Sequence, residues 1–203
     1  MHKRLFFSGA RILFALLGAS AVITQFIHGT QRPTFGLVNF FSFFTIESNI
    51  LAIIVLLTAG VCGFLGKRTP SDFIRGAATV YMATTGIIYV LLLSGLENSL
   101  QTPIPWVNAV LHYIMPVVLC LDWLLDRART ITPAKAAWWL TFPVVYVGYS
   151  LVRGHITSWY PYPFLNPIER GYAFVAEMSV VIAVGIVVLV ALVAWYGRTP
   201  KTK

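Results

Sequence analysis

The stretch NFFSFFTIESNILAIIVLL, Asn39 to Leu57, decides the fold. It is apolar and, at close to twenty residues, long enough to cross a bilayer as a helix. Its first third nevertheless carries Ser42, Thr45, Glu47, Ser48 and Asn49, groups that hydrocarbon solvates poorly. Ser42, Thr45 and Asn49 fall at i, i+3 and i+7, so a continuous helix presents them on one face, with Glu47 to the side. That face is expected to line a polar site inside a helical bundle.

Outward from this stretch the chain keeps the same character. Of its 203 residues 58% are hydrophobic and 11% charged, against about a quarter charged in a soluble domain. Six apolar segments follow one another, about 8–28, 38–62, 76–96, 106–125, 136–153 and 172–196, each near the length of a membrane span. The expected fold is all-α, a single polytopic six-helix transmembrane bundle over 1–203 in an inner (plasma) membrane. There is no internal repeat of the kind transporters carry, and no low-complexity segment.

The net charge of +8 forms no continuous stripe, which argues against a nucleic-acid surface. Topology explains it instead. Twelve of the fifteen lysines and arginines fall at the N-terminus (Lys3, Arg4, Arg11), the second loop (Lys67, Arg68, Arg75), the fourth loop (Arg127, Arg129, Lys135) and the C-terminus (Arg198, Lys201, Lys203). Arg32, Arg153 and Arg170 alone fall in the alternate loops. Both termini are therefore expected in the cytoplasm. Lys3-Arg4, the apolar run and Ala19-Ser20-Ala21 resemble a secretory signal, but Arg11 interrupts the run and apolar sequence continues to Ile27, so a retained helix is expected. Cys62 and Cys120 have no framework or metal spacing, and no disulfide is expected. Pro161, Pro163 and Pro167 exclude a regular helix through the external loop 154–171, which reads as an ordered cap or an aromatic interfacial anchor.

Counted from the external side, Thr45, His112 and Glu177 lie at one depth, about 10 Å inside. Asn108 sits one turn above His112, and Gln25, His28, Glu97 and Arg153 add polarity at the outer ends. The cytoplasmic half carries chiefly Asp122. One chemistry for such a site is ester hydrolysis, with Ser42 or Thr45 as nucleophile and His112 as base. Asn49 or Asn108 would then donate to the oxyanion, and Glu47 or Glu177 would orient the imidazole. A metal site using His112, Glu47 and Glu177 with His28 or His155 is weaker, because no HxxxH spacing is present, and no metal or cofactor is expected. A non-catalytic role in binding a lipid or a protein partner fits the same residues, since membrane hydroxyls mostly bond to backbone carbonyls or neighbouring helices.

FFSFFTIESNIL in the second segment, NAVLHYIMPVVLCLDWLL in the fourth and WYPYPFLNP before the sixth together resemble the bacterial Pr6Pr family of six-helix membrane proteins. More distantly they are similar to the androgen-induced protein family. That resemblance implies intramembrane hydrolysis of fatty acid esters, with a Thr on the second helix and a His on the fourth. The His carries over onto His112, flanked by Asn108 and Pro116. Register puts Ser42 at the nucleophile position and residue identity puts Thr45 there. The implied partners are membrane lipids, with a fatty-acid ester as substrate.

Overall fold

A computed structural model of the chain describes residues 2–68, 70–96, 103–126 and 131–198. Arg127, Arg129, Lys201, Lys203 and Glu97, on which the charge and depth readings drew, lie outside the described residues. The chain is all-helical, with no strand among the described residues.

Helix α1 (His2–Thr30) leads through a short α2 (Leu37–Phe41) into α3 (Phe44–Phe64). Helix α4 (Asp72–Ile88) ends in a π-helical turn, Tyr89–Leu93. Next come α5 (Pro105–Ala109), a second π turn (Val110–Ile114) and α6 (Met115–Leu125), which form one rod. Another continuous stretch joins α7 (Pro133–Ala137), a 3-10 turn (Trp138–Leu140) and α8 (Thr141–Thr157), and α9 (Pro167–Arg198) ends the bundle. Among the described residues five helical stretches are long and apolar enough to cross a membrane: His2–Thr30, Phe44–Phe64, Asp72–Leu93, Pro105–Leu125 and Pro167–Gly197. The segment expected at 136–153 is the stretch 133–157, whose longest regular piece, α8, has 17 residues. Its 3-10 turn precedes Pro143, which supplies no N–H for the carbonyl of Trp139.

Helix α4 sits at the centre. Every residue from Arg75 to Thr85 is buried, as expected of a helix with neighbours on all sides, and its small residues let those neighbours approach. At Gly86 a Cβ would stand 2.9 Å from Pro116 Cβ, so only glycine lets α6 lie this close. Helices α1 and α9 are peripheral and turn apolar faces outward: Leu13, Leu16 and Ile23 on one, Val180, Val184 and Leu192 on the other. Gly171 (φ 78°, ψ 158°) interrupts α9 four residues after its start, in a backbone region that is open essentially to glycine alone. The membrane-length part of α9 thus begins at Tyr172, where the apolar pattern put it.

Two features depart from expectation. The second segment is not one helix: Ser42 (φ −88°, ψ 0°) closes α2 and extended Phe43 (φ −81°, ψ 124°) caps α3. The expected single face through Ser42, Thr45 and Asn49 is therefore broken at its first member. Two tyrosines occupy the break. Tyr146 Oη donates to Ser42 O at 2.9 Å and accepts from Phe44 N at 3.3 Å, while Tyr162 Oη accepts from Thr45 N at 3.3 Å. Amides that a helix start leaves unpaired are thereby satisfied from other segments.

The second departure lies at the opposite end, where the inner half was expected to carry little beyond Asp122. Arg11 Nε and Asp122 Oδ1 are 2.6 Å apart, Arg11 also meets Asp126 at 2.6 Å, and Arg75 reaches Asp122 at 3.1 Å and Asp72 at 3.3 Å. Arg75 also donates to Asp126 O at 2.9 Å. Two of the arginines counted as loop charges are thus buried ion-pair partners that tie α1, α4 and α6 together.

Candidate functional site

A cavity of about 380 Å³ lies between α3, α4, α8 and α9, closed at one end by the loop before α9. Its walls are mainly aliphatic, with Thr45, Thr84, Thr85, Tyr146, Tyr162 and Ser179 as polar contributors and no charged side chain among the described residues. The loop, Ser158 to Asn166, packs over this end. Tyr162 and Leu165 are buried, Tyr162 stacks on Phe164 at 5.2 Å, and Trp159 packs edge-on against Phe43. Arg153, at the end of α8, bonds Asn39 and lies 5.0 Å from the Trp159 ring, joining the cap to α2. Burial pushes the Tyr162 phenol up from its ordinary value, so its hydroxyl is neutral across physiological pH. On the outward side the cavity wall includes Val144, Val180 and Val187, which are half or more exposed.

The residues expected to act together are distributed among several environments. Thr45 lines the cavity, its Oγ1 3.3 Å from Tyr162 Oη. Ser42 does not line it: its hydroxyl donates to Val38 O at 2.7 Å and lies 3.0 Å from Tyr149 Oη. His112 is buried inside the second π turn, its Nδ1 3.2 Å from Asn108 O and its ring stacked on Tyr89 at 4.1 Å. Proline at 116 explains this local shape, since it cannot donate to the carbonyl of His112 and the widened turn precedes it directly. Among the described residues neither Ser42 nor Thr45 is hydrogen-bonded to His112.

Asn49 is the residue that meets the His112 rod. Its Nδ2 donates to Thr45 O at 2.8 Å and to Leu111 O at 3.2 Å. Both amide hydrogens are engaged, so in this arrangement Asn49 fixes α3 against that rod and has none left for an oxyanion. Asn108 Nδ2 donates to Tyr89 Oη at 2.6 Å and keeps a second hydrogen. Glu47 is half-buried in the first turn of α3, and its Oε2 has no hydrogen-bond partner among the described residues. Glu177 is exposed on α9 and does not line the cavity. Neither glutamate is hydrogen-bonded to His112 among the described residues. No group of three His, Cys, Asp or Glu among the described residues is placed to hold a metal ion, and both cysteines are free thiols.

Sequence reasoning missed Tyr146, Tyr162, Tyr89, Thr85 and Ser179. Tyr162 carried a signal, as one aromatic of a proline-bounded loop too rigid to be a mere tether. The others look like ordinary bundle residues until the cavity is seen. No family model, curated protein or solved structure matches the chain.

Proposed function

We propose that this is a six-span integral membrane protein, both termini cytoplasmic, that takes a lipid-like molecule from the bilayer into the cavity beside Thr45. The spans would be the five long apolar stretches together with 133–157. The ion-pair cluster supports the topology by gathering the beginnings of α1 and α4 and the end of α6 at one end of the bundle. That is the end richest in lysine and arginine, hence the cytoplasmic one. The same proposal puts the protein in a plasma membrane and, on the three stretches quoted for the resemblance alone, in kinship with the Pr6Pr family.

The observation that carries the binding role is the cavity itself. An aliphatic space with a few hydroxyls, walled outward by residues that face the surrounding medium, suits a ligand that arrives sideways out of hydrocarbon. Ala183, on its wall, allows a direct test through Ala183→Trp, which fills the space. Native mass spectrometry of protein extracted in mild detergent should find lipid on the wild type and lose it in the folded Ala183→Trp protein. Equal retention by both would place the lipid elsewhere and end the reading.

Ester hydrolysis is the second reading, favoured by the one hydroxyl candidate that reaches the cavity, Thr45. His112 would have to come within hydrogen-bond reach of it when substrate binds. A fluorophosphonate lipid probe tests this: labelling lost in both Thr45→Ala and His112→Ala, but kept in Ser42→Ala, supports it. Labelling indifferent to His112 removes it.

A further inference from the structure

Among the described spans, α9 is the least embedded in the bundle, and it has two unlike faces. Val175, Ile186 and Val190 are buried against the other helices. Glu177, Val181, Val184, Val188, Ala191 and Trp195 are all exposed, the three valines by more than half. These six follow one another at steps of four, three, four, three and four residues. That spacing is the seam of a two-helix coiled coil, and valine at 181 and 188, the a positions, favours a pair of strands.

An apolar seam in a membrane is covered well enough by lipid. The carboxyl group at its outer end is not. Tyr172 and Trp195, both exposed, are about 35 Å apart along α9, the separation of the two membrane interfaces. Glu177 lies about 8 Å inside the Tyr172 level, and among the described residues no side chain pairs with it. Hydrocarbon offers such a group nothing. Helix α1 makes the contrast: its outward face carries Leu13, Leu16, Ser20, Ile23 and Ile27, and the single polar group, Ser20 Oγ, donates to Leu17 O at 2.8 Å. Lipid suffices there.

A carboxylic acid both donates and accepts a hydrogen bond, so two of them are complementary to each other. All copies of the chain insert in one orientation, so a two-fold axis between them runs along the membrane normal and each seam residue meets its own counterpart at one depth. We propose that this face of α9 is the interface of a parallel, two-fold dimer of the chain, in which Glu177 meets Glu177 of the partner subunit and sets the register. The polar pair acts as a buried polar residue does in a coiled coil, fixing alignment more than adding stability. The dimer does not depend on what the cavity holds.

The test uses the full chain, with Cys62→Ala and Cys120→Ala as background, at high dilution in lipid vesicles. Oxidation with copper phenanthroline should link Val181→Cys and Val188→Cys into disulfide dimers and leave Ile23→Cys, on α1, as monomer. Single-molecule photobleaching of fluorescently labelled protein then follows the dimer fraction as lipid is added. Glu177→Leu should raise the dissociation constant about tenfold. Glu177→Gln should stay within about threefold of wild type, because an amide also donates and accepts. Neither should lower the melting temperature of the monomer, since the side chain is exposed. One bleaching step at every dilution, or linkage at Ile23→Cys equal to that on the seam, overturns the dimer. A dimer fraction indifferent to Glu177→Leu overturns the assigned register. Glu177→Gln as weak as Glu177→Leu overturns self-pairing and identifies a partner helix bearing a cation instead.

Discussion

Asp122→Ala removes the carboxylate on which two buried guanidinium groups converge. Asp122 lies 2.6 Å from Arg11 and 3.1 Å from Arg75, and the three side chains are 9%, 7% and 4% exposed. At a separation of about 4 Å between charge centres and an effective dielectric near 20, each attraction is worth roughly 4 kcal/mol before desolvation is counted. Asp126 remains within 2.6 Å of Arg11 and 3.5 Å of Arg75, but it is 42% exposed and so compensates only in part. The expected loss is about 3–5 kcal/mol, the range for leaving a buried charge without its partner. Asp122→Asn keeps the shape and loses the charge, and should fall between wild type and alanine. The triple variant Arg11→Met, Arg75→Met, Asp122→Leu should recover much of the loss, because desolvating the pairs offsets most of their attraction. The measurement is reversible unfolding in mixed micelles, followed by tryptophan fluorescence. A loss under about 1 kcal/mol for Asp122→Ala would mean that the cluster behaves like an exposed pair, and the assignment of these arginines to the bundle interior would fail.

Gly86→Ala should destabilise the bundle by about 1–3 kcal/mol, since the new methyl meets Pro116 at 2.9 Å; the same unfolding assay checks it, and an unchanged midpoint would mean that α4 and α6 do not pack this closely. Tyr162→Phe removes the hydroxyl that pairs with Thr45 N and Oγ1 and should cost about 1 kcal/mol, with faster hydrogen exchange at the start of α3; unchanged exchange there would dismiss the cap. Because burial raises the Tyr162 pKa above its ordinary value of 10.0, the folded state holds this proton more tightly than the unfolded chain. Its contribution is fully present below about pH 10 and is lost as pH rises toward the folded value. Alkaline unfolding of wild type should therefore steepen above pH 10 more than that of Tyr162→Phe, and identical profiles would refute the coupling.

Five of the expected spans were legible because each is an apolar run of spanning length bounded by charge, proline or glycine, whereas the stretch 133–157 is broken by a 3-10 turn. The break at Ser42–Phe43 was not. Nothing in FFSFFTIESN contradicts a continuous helix, and the hydroxyls that make a break tolerable belong to Tyr146 and Tyr162, about a hundred residues away. The charge cluster was half legible. Arg11 and Asp122 each interrupt an apolar run with opposite sign, which invites pairing, but Arg75 stands at a segment boundary and counts equally well as a loop charge. The spacing puts Asn108 one turn from His112, and the structure buries the imidazole there. Its orientation was hidden, because Pro116 reshapes the turn that carries it and Tyr89, which stacks on it, comes from another segment.

These long-range contacts also limit the chemistry open to the site. Thr45 belongs to a helix start whose amides are held by two tyrosines, so its backbone is fixed while its hydroxyl has a single weak contact to exchange. His112 is held more firmly, by ring stacking, by Asn108 and by a turn that proline shapes. Any union of the two therefore requires Thr45 to turn its hydroxyl away from Tyr162 and the imidazole to leave its place against Tyr89. Hydrolysis thus asks for a rotation at Thr45 and a move of His112 that binding alone does not. If that rotation occurs, Tyr162→Phe should speed probe labelling in the same variant whose cap it loosens, and slower labelling would show that the phenol helps to set the nucleophile.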